Sequence, residues 1–300
     1  MGLRPFDPWR SELCTCPPKY SLNPYTGCAH GCIYCYASAY IRDFFRCRPK
    51  LGLIPKLRRE LSRIPPGSLI SLSNTSDPYP PLEEKLQNTH HCLELFRAYG
   101  MRVLVVTKSH LVLHDKELLG EMEAAVTLTI TSFRHSAKLE PGAPSPERRL
   151  EALRELSQAG IPVGLRLDPV FPELTDGEIE EIVEQATRAG AKHLVASTFK
   201  PRRDSWKRFA QAFPKVAAQT YEMYFKLGER VGNSWYLPRE MRRELMLRVK
   251  EASEAHGLTF ACCREGFPEL HTAESCDGSH LIRPRFDKGP TPPGAPYTSR

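Results

Sequence analysis

The chain has 300 residues, enough for one large domain or two small ones around a sizeable core. Hydrophobic residues make up 41% and charged ones 26%, which excludes a disordered or fibrous chain, and no run approaches the roughly 18 apolar residues of a membrane span. The net charge is +7 and ten cysteines are present. The opening MGLRPFDPWR has no apolar run behind its charges, so no secretory leader is expected and a reducing, cytoplasmic location is; the thiols then read as metal ligands or reduced side chains rather than disulfides.

Residues 1–19 read as a leader segment. A first strand then feeds SLNPYTGCAHGCIYCY at 21–36, where Cys28, Cys32 and Cys35 stand in the spacing C-x3-C-x2-C. Three thiolates in one short loop can hold three corners of a 4Fe–4S cube and leave the fourth iron open to a small molecule. A zinc site shares the C-x2-C half, but it usually adds a second pair at a comparable spacing, and here the third cysteine is internal to the same loop. Further strands are expected at 68–74, 102–108, 125–130, 162–170 and 193–199. Helical patterns lie near 36–48, 82–99, 115–122, 146–159 and 176–189, the last two stopped by Gly160 and Gly190.

Strands alternating with helices imply crossover units and a parallel sheet. Six units give an α/β fold, a partial (β/α)6 barrel over 20–200, with functional residues gathered at the C-terminal strand ends and the cysteine loop at that mouth. Residues 201–285 are expected to cap the mouth as a C-terminal extension, and the Pro- and Gly-rich 286–300 to be a disordered tail. Between Lys200 and Lys250 there are 13 Lys or Arg against 5 Asp or Glu, which reads as a polyanion-binding face or as the solvated side of helices such as MRRELMLRVKEASEAHG.

The second cluster of chemistry is FACCREGFPELHTAESCDGSHL, with Cys262, Cys263, Cys276 and His280. The run Cys276-Asp277-Gly278-Ser279-His280 resembles the pentapeptide of CDGSH iron–sulfur proteins, which also need an upstream C-x-C. The only C-x-C here is Cys14-Thr15-Cys16, at the other end of the chain. Three readings stand: a second iron–sulfur cluster using Cys262 or Cys263, Cys276 and Cys14 or Cys16; a catalytic thiol, such as Cys276, that gives hydrogen atoms to a substrate radical; or buried cysteines without chemistry. Cys47 and Cys92, on expected helices, read as structural.

The cysteine loop, with Tyr34 just before its last cysteine, resembles that of the radical SAM superfamily. The resemblance implies a radical SAM barrel in which S-adenosylmethionine binds the open iron. The reduced cluster cleaves it to methionine and a 5′-deoxyadenosyl radical that takes hydrogen from a substrate, and a flavodoxin or ferredoxin serves as reductant. NTSDPYPPLE (74–83), VVTKS (105–109), TLTITS (127–132) and EPGAPSPERRLEAL (140–153) together resemble the spore photoproduct lyase branch. By that resemblance Ser76, Lys108 and Thr129 hold the cofactor, Lys108 at its carboxylate. Tyr34 and Tyr36 match tyrosines flanking the third cysteine and carry a catalytic expectation, and Glu140 and Arg149 match family positions. Asn74 departs: the lyases have there a cysteine that returns a hydrogen atom to the thymine pair, and an amide N–H bond is too strong for that. The expectation is therefore a relative acting on a different nucleic-acid substrate. The alternatives are radical chemistry on a peptide or small metabolite with a second cluster, and a non-enzymatic iron–sulfur protein.

Overall fold

In the computed structural model, which describes residues 2–6, 11–72 and 74–284, the expected strands form one sheet and pair in chain order. They are β1 (Tyr20–Leu22), β2 (Leu69–Leu72), β3 (Arg102–Thr107), β4 (Ala124–Thr129), β5 (Val163–Val170) and β6 (His193–Thr198). All their pairings are parallel. Every residue of β4 and of β6 is buried, which suits near-continuous apolar runs covered on both faces. One face, with Val103, Val105, Leu128, Leu165 and Leu194, joins the large core beneath the helices. Each such fully buried side chain contributes roughly 1.5–3 kcal/mol.

The alternate residues face inward. There Leu69, Leu104 and Ala125 form a second, smaller core with Ile282, while Arg166, Asp168 and Ser197 line a cavity. The shift from apolar to polar along the inner face separates a filled end of the barrel from an open one.

The helices follow ordinary local rules. α1 spans Leu53–Leu61, α2 Asn88–Ala98, α3 Lys116–Gly120, α4 Pro146–Gln158 and α5 Ile179–Arg188. Ser145 caps α4 by accepting from the Arg148 amide, with Pro146 in the first turn, and Gly160 and Gly190 follow α4 and α5 with φ of 77° and 103°. In α5, Ile179, Ile182, Val183 and Ala186 are the buried set, one stripe at helical spacing.

Three expectations need correction. The stretch 36–48 is not a helix: beyond a short 3-10 turn at Ala37–Ala39 it winds as a loop, because the Arg48 guanidinium donates to the carbonyls of Arg42, Asp43 and Arg46. Cys47 therefore lies in that loop, whereas Cys92 is fully buried in α2 as expected. The helix expected over 82–99 breaks at Gln87, whose φ is 49°, and Glu83 from the preceding turn caps α2 by accepting from the amides of Thr89 and His90.

The segment 201–285 is put to three uses instead of forming one cap. α6 (Arg203–Ala212), α7 (Pro214–Phe225) and the hairpin Glu229–Val231/Ser234–Tyr236 stand over the mouth. Next, α8 (Arg239–Ala255) and β7 (Thr259–Cys262) continue the βα alternation, β7 adding a seventh parallel strand beside β6 with Ala261 opposite Val195. Residues 276–282 then enter the concave side, where Leu281 and Ile282 pack on the inner core and Gly278 approaches the His193 ring, 3.3 Å from where a side-chain carbon would sit. The expected tail at 286–300 lies outside the described residues.

Candidate functional site

A cavity of about 1970 Å³ opens at the C-terminal strand ends and runs down the inner face; Cys28, Cys32, Cys35, Ser76, Lys108 and Thr129 all line it. The fold thus brings together the six residues picked out for cluster and cofactor.

The cysteine loop is held in shape by its surroundings. The Cys28 amide donates to the Phe44 carbonyl at 2.7 Å and that of Ile33 to Leu139 at 3.0 Å. Arg208 of α6 reaches the carbonyls of Ile33 and Cys35. Gly27 has φ of 77°, and a side-chain carbon there would stand 2.4 Å from the Arg46 carbonyl oxygen, so only glycine fits beside the returning loop. Burial pushes the Cys28 thiol up to about 12 and raises those of Cys32 and Cys35 as well. Among the described residues no three His, Cys, Asp or Glu converge tightly enough to hold one metal ion. The corners of a cube are separate irons, whose ligands stand farther apart than the roughly 4 Å between two thiolates sharing one ion with bonds of about 2.3 Å.

Asp77, which sequence reasoning used only as a marker for Ser76, ties the loop to the barrel. It accepts from the Thr107 hydroxyl at 2.7 Å and from the amides of Lys108 and Tyr79 at 2.8 and 2.9 Å, and it faces His30 Nε2 at 3.1 Å. Burial would raise this carboxyl, but His30, Thr107 and the Lys108 amide outweigh it and bring it to about 2. The carboxylate therefore stabilises the fold above its ordinary value of 3.8, and that contribution is lost as pH falls through about 2. On the order of 2 kcal/mol should disappear across that window. Acid unfolding followed by circular dichroism should be shallower for Asp77→Asn than for wild type.

Glu140 is the second organiser. It accepts from the Tyr34 hydroxyl and from the Thr131 hydroxyl at 2.9 Å, forms an ion pair with Arg149 at 2.5 Å, and has Lys108 Nζ 3.9 Å away. Burial opposes its charge, but Arg149 and Lys108 hold it below the usual carboxylate value. Burial likewise opposes the Lys108 ammonium, and Cys32 and Glu140 more than restore it. A cation is thus kept at the cavity wall beside the cysteine loop. Glu140 and Arg149 are each about 1% exposed, which makes theirs a structural pairing.

Ser76 is buried, and its amide, with those of Asn74 and Thr75, turns toward Asn23 Oδ1. Thr129 is buried at the end of β4, its carbonyl accepting from Arg149. Tyr34 packs edge-on against Phe171, at 5.6 Å between ring centres, while Tyr36 is 42% exposed and donates to the Asn74 carbonyl at 2.5 Å. The Asn74 side chain itself bonds Ser21.

The C-terminal cysteines go different ways. Cys262 donates to the Phe267 carbonyl and lies 3.3 Å from His271; Cys263 lines the cavity 3.5 Å from Arg166. Cys276 meets neither in a hydrogen bond; its sulfur is 3.2 Å from that of Cys16.

Sequence reasoning missed the wall opposite the cysteine loop. Arg166 pairs with Asp168 at 2.5 Å, Ser197 donates to Asp168, and Lys200 pairs with Glu265 at 2.6 Å. The available signal was LRLDP in β5, two ionic residues two apart in a strand otherwise buried on both faces. Of the basic segment, Lys226, Arg248 and Lys250 pair with acidic side chains on or beside their own helices, whereas Lys200, Arg202, Arg203 and Arg230 line the cavity. Arg202 lies over both Tyr36 and Tyr40, at 5.8 and 5.5 Å from their ring centres.

Comparison with known proteins agrees with this geometry. The family model described as the radical SAM superfamily matches residues 22–186. An uncharacterised protein of Mycobacterium tuberculosis is 28% identical over 258 residues, covering 78% of this chain and 73% of that one. The radical SAM Nα-GlyT isomerase of Pseudomonas phage M6 is 24% identical over 291 residues, 86% of this chain and 59% of its own. Among solved structures, spore photoproduct lyase complexed with dinucleoside spore photoproduct superposes with a TM-score of 0.62 at 20% identity, covering 81% of this chain and 76% of the lyase, a likeness of fold. No helix among the described residues is long and apolar enough to cross a membrane.

Proposed function

We propose, for a chain that belongs to the radical SAM superfamily, that Cys28, Cys32 and Cys35 hold its 4Fe–4S cluster, that Ser76, Lys108 and Thr129 hold S-adenosylmethionine, and that the substrate is a nucleic acid. Family membership makes the protein a radical SAM enzyme, and the donor set fits: three thiols without a fourth in the loop, and a half-buried ammonium lining the same cavity. Bound there, the cluster and S-adenosylmethionine would supply hydrogen-atom abstraction by a 5′-deoxyadenosyl radical. The protein's own residues set the stage. Lys108 offers a fixed positive charge to the cofactor carboxylate, Glu140 fixes Lys108 and the Tyr34 hydroxyl, and Asp77 fixes the loop through His30. No thiol stands at 74, so hydrogen return by the lyase route is not available from that position.

The observation that carries the nucleic-acid reading is the rim, where exposed Tyr36 and Tyr40 lie under Arg202 beside Arg203 and Arg230. Aromatic faces with guanidinium groups stack bases, and clustered cations meet phosphates. The lyase bound to a dinucleoside supports the same reading by likeness of fold.

Binding of labelled single- and double-stranded DNA and RNA oligonucleotides tests it. Affinity should fall linearly on a log–log plot against salt, and Arg202→Ala should weaken binding several-fold and lower the slope by about 1. Salt-independent or absent binding would favour the peptide or small-metabolite reading. Cys276 as a hydrogen-atom donor has less support than its alternatives, since it is 3% exposed. A second cluster including Cys262 or Cys263 lacks a contact between either of them and Cys276 among the described hydrogen bonds.

A further inference from the structure

The segments before the first strand and after the last meet through sulfur. Cys16 precedes β1 and Cys276 follows β7, strands that have five others between them in the sheet and do not pair with each other. Contacts between residues 13–19 and 266–277 therefore bridge the gap that a partial barrel leaves. Three are present. Lys19 forms a buried ion pair with Asp277, a side-chain carbon on Gly266 would stand 3.3 Å from Leu13, and the sulfurs of Cys16 and Cys276 are 3.2 Å apart.

We propose that Cys16 and Cys276 form a reversible disulfide latch, open while the protein is reduced and closed by exchange with a small-molecule disulfide, so that oxidation ties the N-terminal segment to the segment 276–282. Three observations carry it. The sulfurs need to approach by only about 1.2 Å to reach bonding distance, and Cys16 lies outside helix and strand, where such a shift breaks no ladder. Cys276 is held ready: its carbonyl faces His193 Nε2 at 3.3 Å, and the next residue, Asp277, accepts from the Ser279 amide and hydroxyl at 3.0 and 2.7 Å. Access is one-sided, since Cys16 lines the cavity whereas Cys276 is 3% exposed. An outside disulfide therefore meets Cys16 first, and the buried thiol resolves it.

The chemistry balances in two exchanges. The Cys16 sulfur attacks a disulfide RSSR, forming a mixed disulfide and releasing one RSH; the Cys276 sulfur then displaces the second RSH. The two protein thiols lose two electrons, RSSR gains them, and the two cysteine protons end on the released thiols. A hydrogen bond with Cys14 favours the Cys16 thiolate, but the bond to Cys276 and burial outweigh it and push the thiol up to about 12. The attacking thiolate is scarce, so the latch closes over hours and answers sustained oxidation only. Closed, it bridges positions 260 apart and fixes the cavity wall to which Leu13 and Cys16 contribute.

The test holds the full chain anaerobically in graded mixtures of reduced and oxidised glutathione and maps it by non-reducing peptide mass spectrometry. A linked Cys16–Cys276 peptide should accumulate as the oxidised fraction rises and vanish with excess dithiothreitol. The melting temperature should rise with it by on the order of 10 °C, because so long a ring restricts the unfolded chain. Cys276→Ser should lose the link and the rise and leave glutathione on Cys16. Cys16→Ser, at a partly exposed position, should lose both with no glutathione on Cys276, and Cys47→Ser should change nothing. A Cys14–Cys16 link in place of the expected one, glutathione left on Cys16 of the wild-type chain, no reaction after a day, or a link without a change in melting temperature would overturn the proposal.

Discussion

Changing Cys28, Cys32 and Cys35 together to alanine should remove the 4Fe–4S signal at the barrel mouth and reduce S-adenosylmethionine cleavage to the uncatalysed background, while the protein stays folded. The folding half of this expectation is specific to the loop. Its shape depends on the Phe44 and Leu139 carbonyls, on Arg208 and on the contact between His30 and Asp77, none of which involves a sulfur. Each thiol removed is a small apolar group, so the loss is modest in packing and total in chemistry. Anaerobic electron paramagnetic resonance with iron and sulfide analysis reads the cluster, and release of 5′-deoxyadenosine under dithionite reads the cleavage. Cleavage surviving in the triple variant would place the reactive centre elsewhere.

Arg149→Met should be the most destabilising single change at the site, by about 3–5 kcal/mol, because it leaves Glu140 charged in a position with 0% side-chain exposure. Lys108 alone, at 3.9 Å, does not replace an ion pair at 2.5 Å. A fall in melting temperature on the order of 10 °C is expected by calorimetry. Adding Glu140→Gln should recover much of it, since the stranded charge is the main cost. The double variant should still bind S-adenosylmethionine weakly, because Glu140 also positions Lys108. If Arg149→Met melted like wild type, the pair would be ornamental, and Glu140 would have to be assigned to substrate.

Much of the architecture was legible because it is written locally. Runs such as VTLT in β4 and LVAST in β6 can only be buried strands, Gly160 and Gly190 end their helices, and the spacing of Cys28, Cys32 and Cys35 lies within eight residues. Features set by distant partners were not legible. The loop at 36–48 has a helical composition, but Arg48 and the chain passing Gly27 decide its path. Asp77 became an organiser only when the fold brought His30 and Thr107 to it. By sequence Cys276 groups with Cys262 or Cys263 and with Cys14 or Cys16; in the fold its sulfur neighbour is Cys16, 260 positions away. The polar inner face of β5 was visible in LRLDP, but a strand read as a buried apolar run hid it.

The segment 276–282, which fills the concave side of the sheet, also sets an order of events during translation. All seven strands leave the ribosome before the residues that cover Leu104 and Ala125, and Lys19 waits for an ion-pair partner 258 positions later. Until then the nascent sheet carries an uncovered apolar lining and an unmatched charge destined for burial. Closing so long a loop is slow, and an exposed lining invites aggregation, so the growing chain calls for chaperone protection up to the moment its own C-terminal segment arrives.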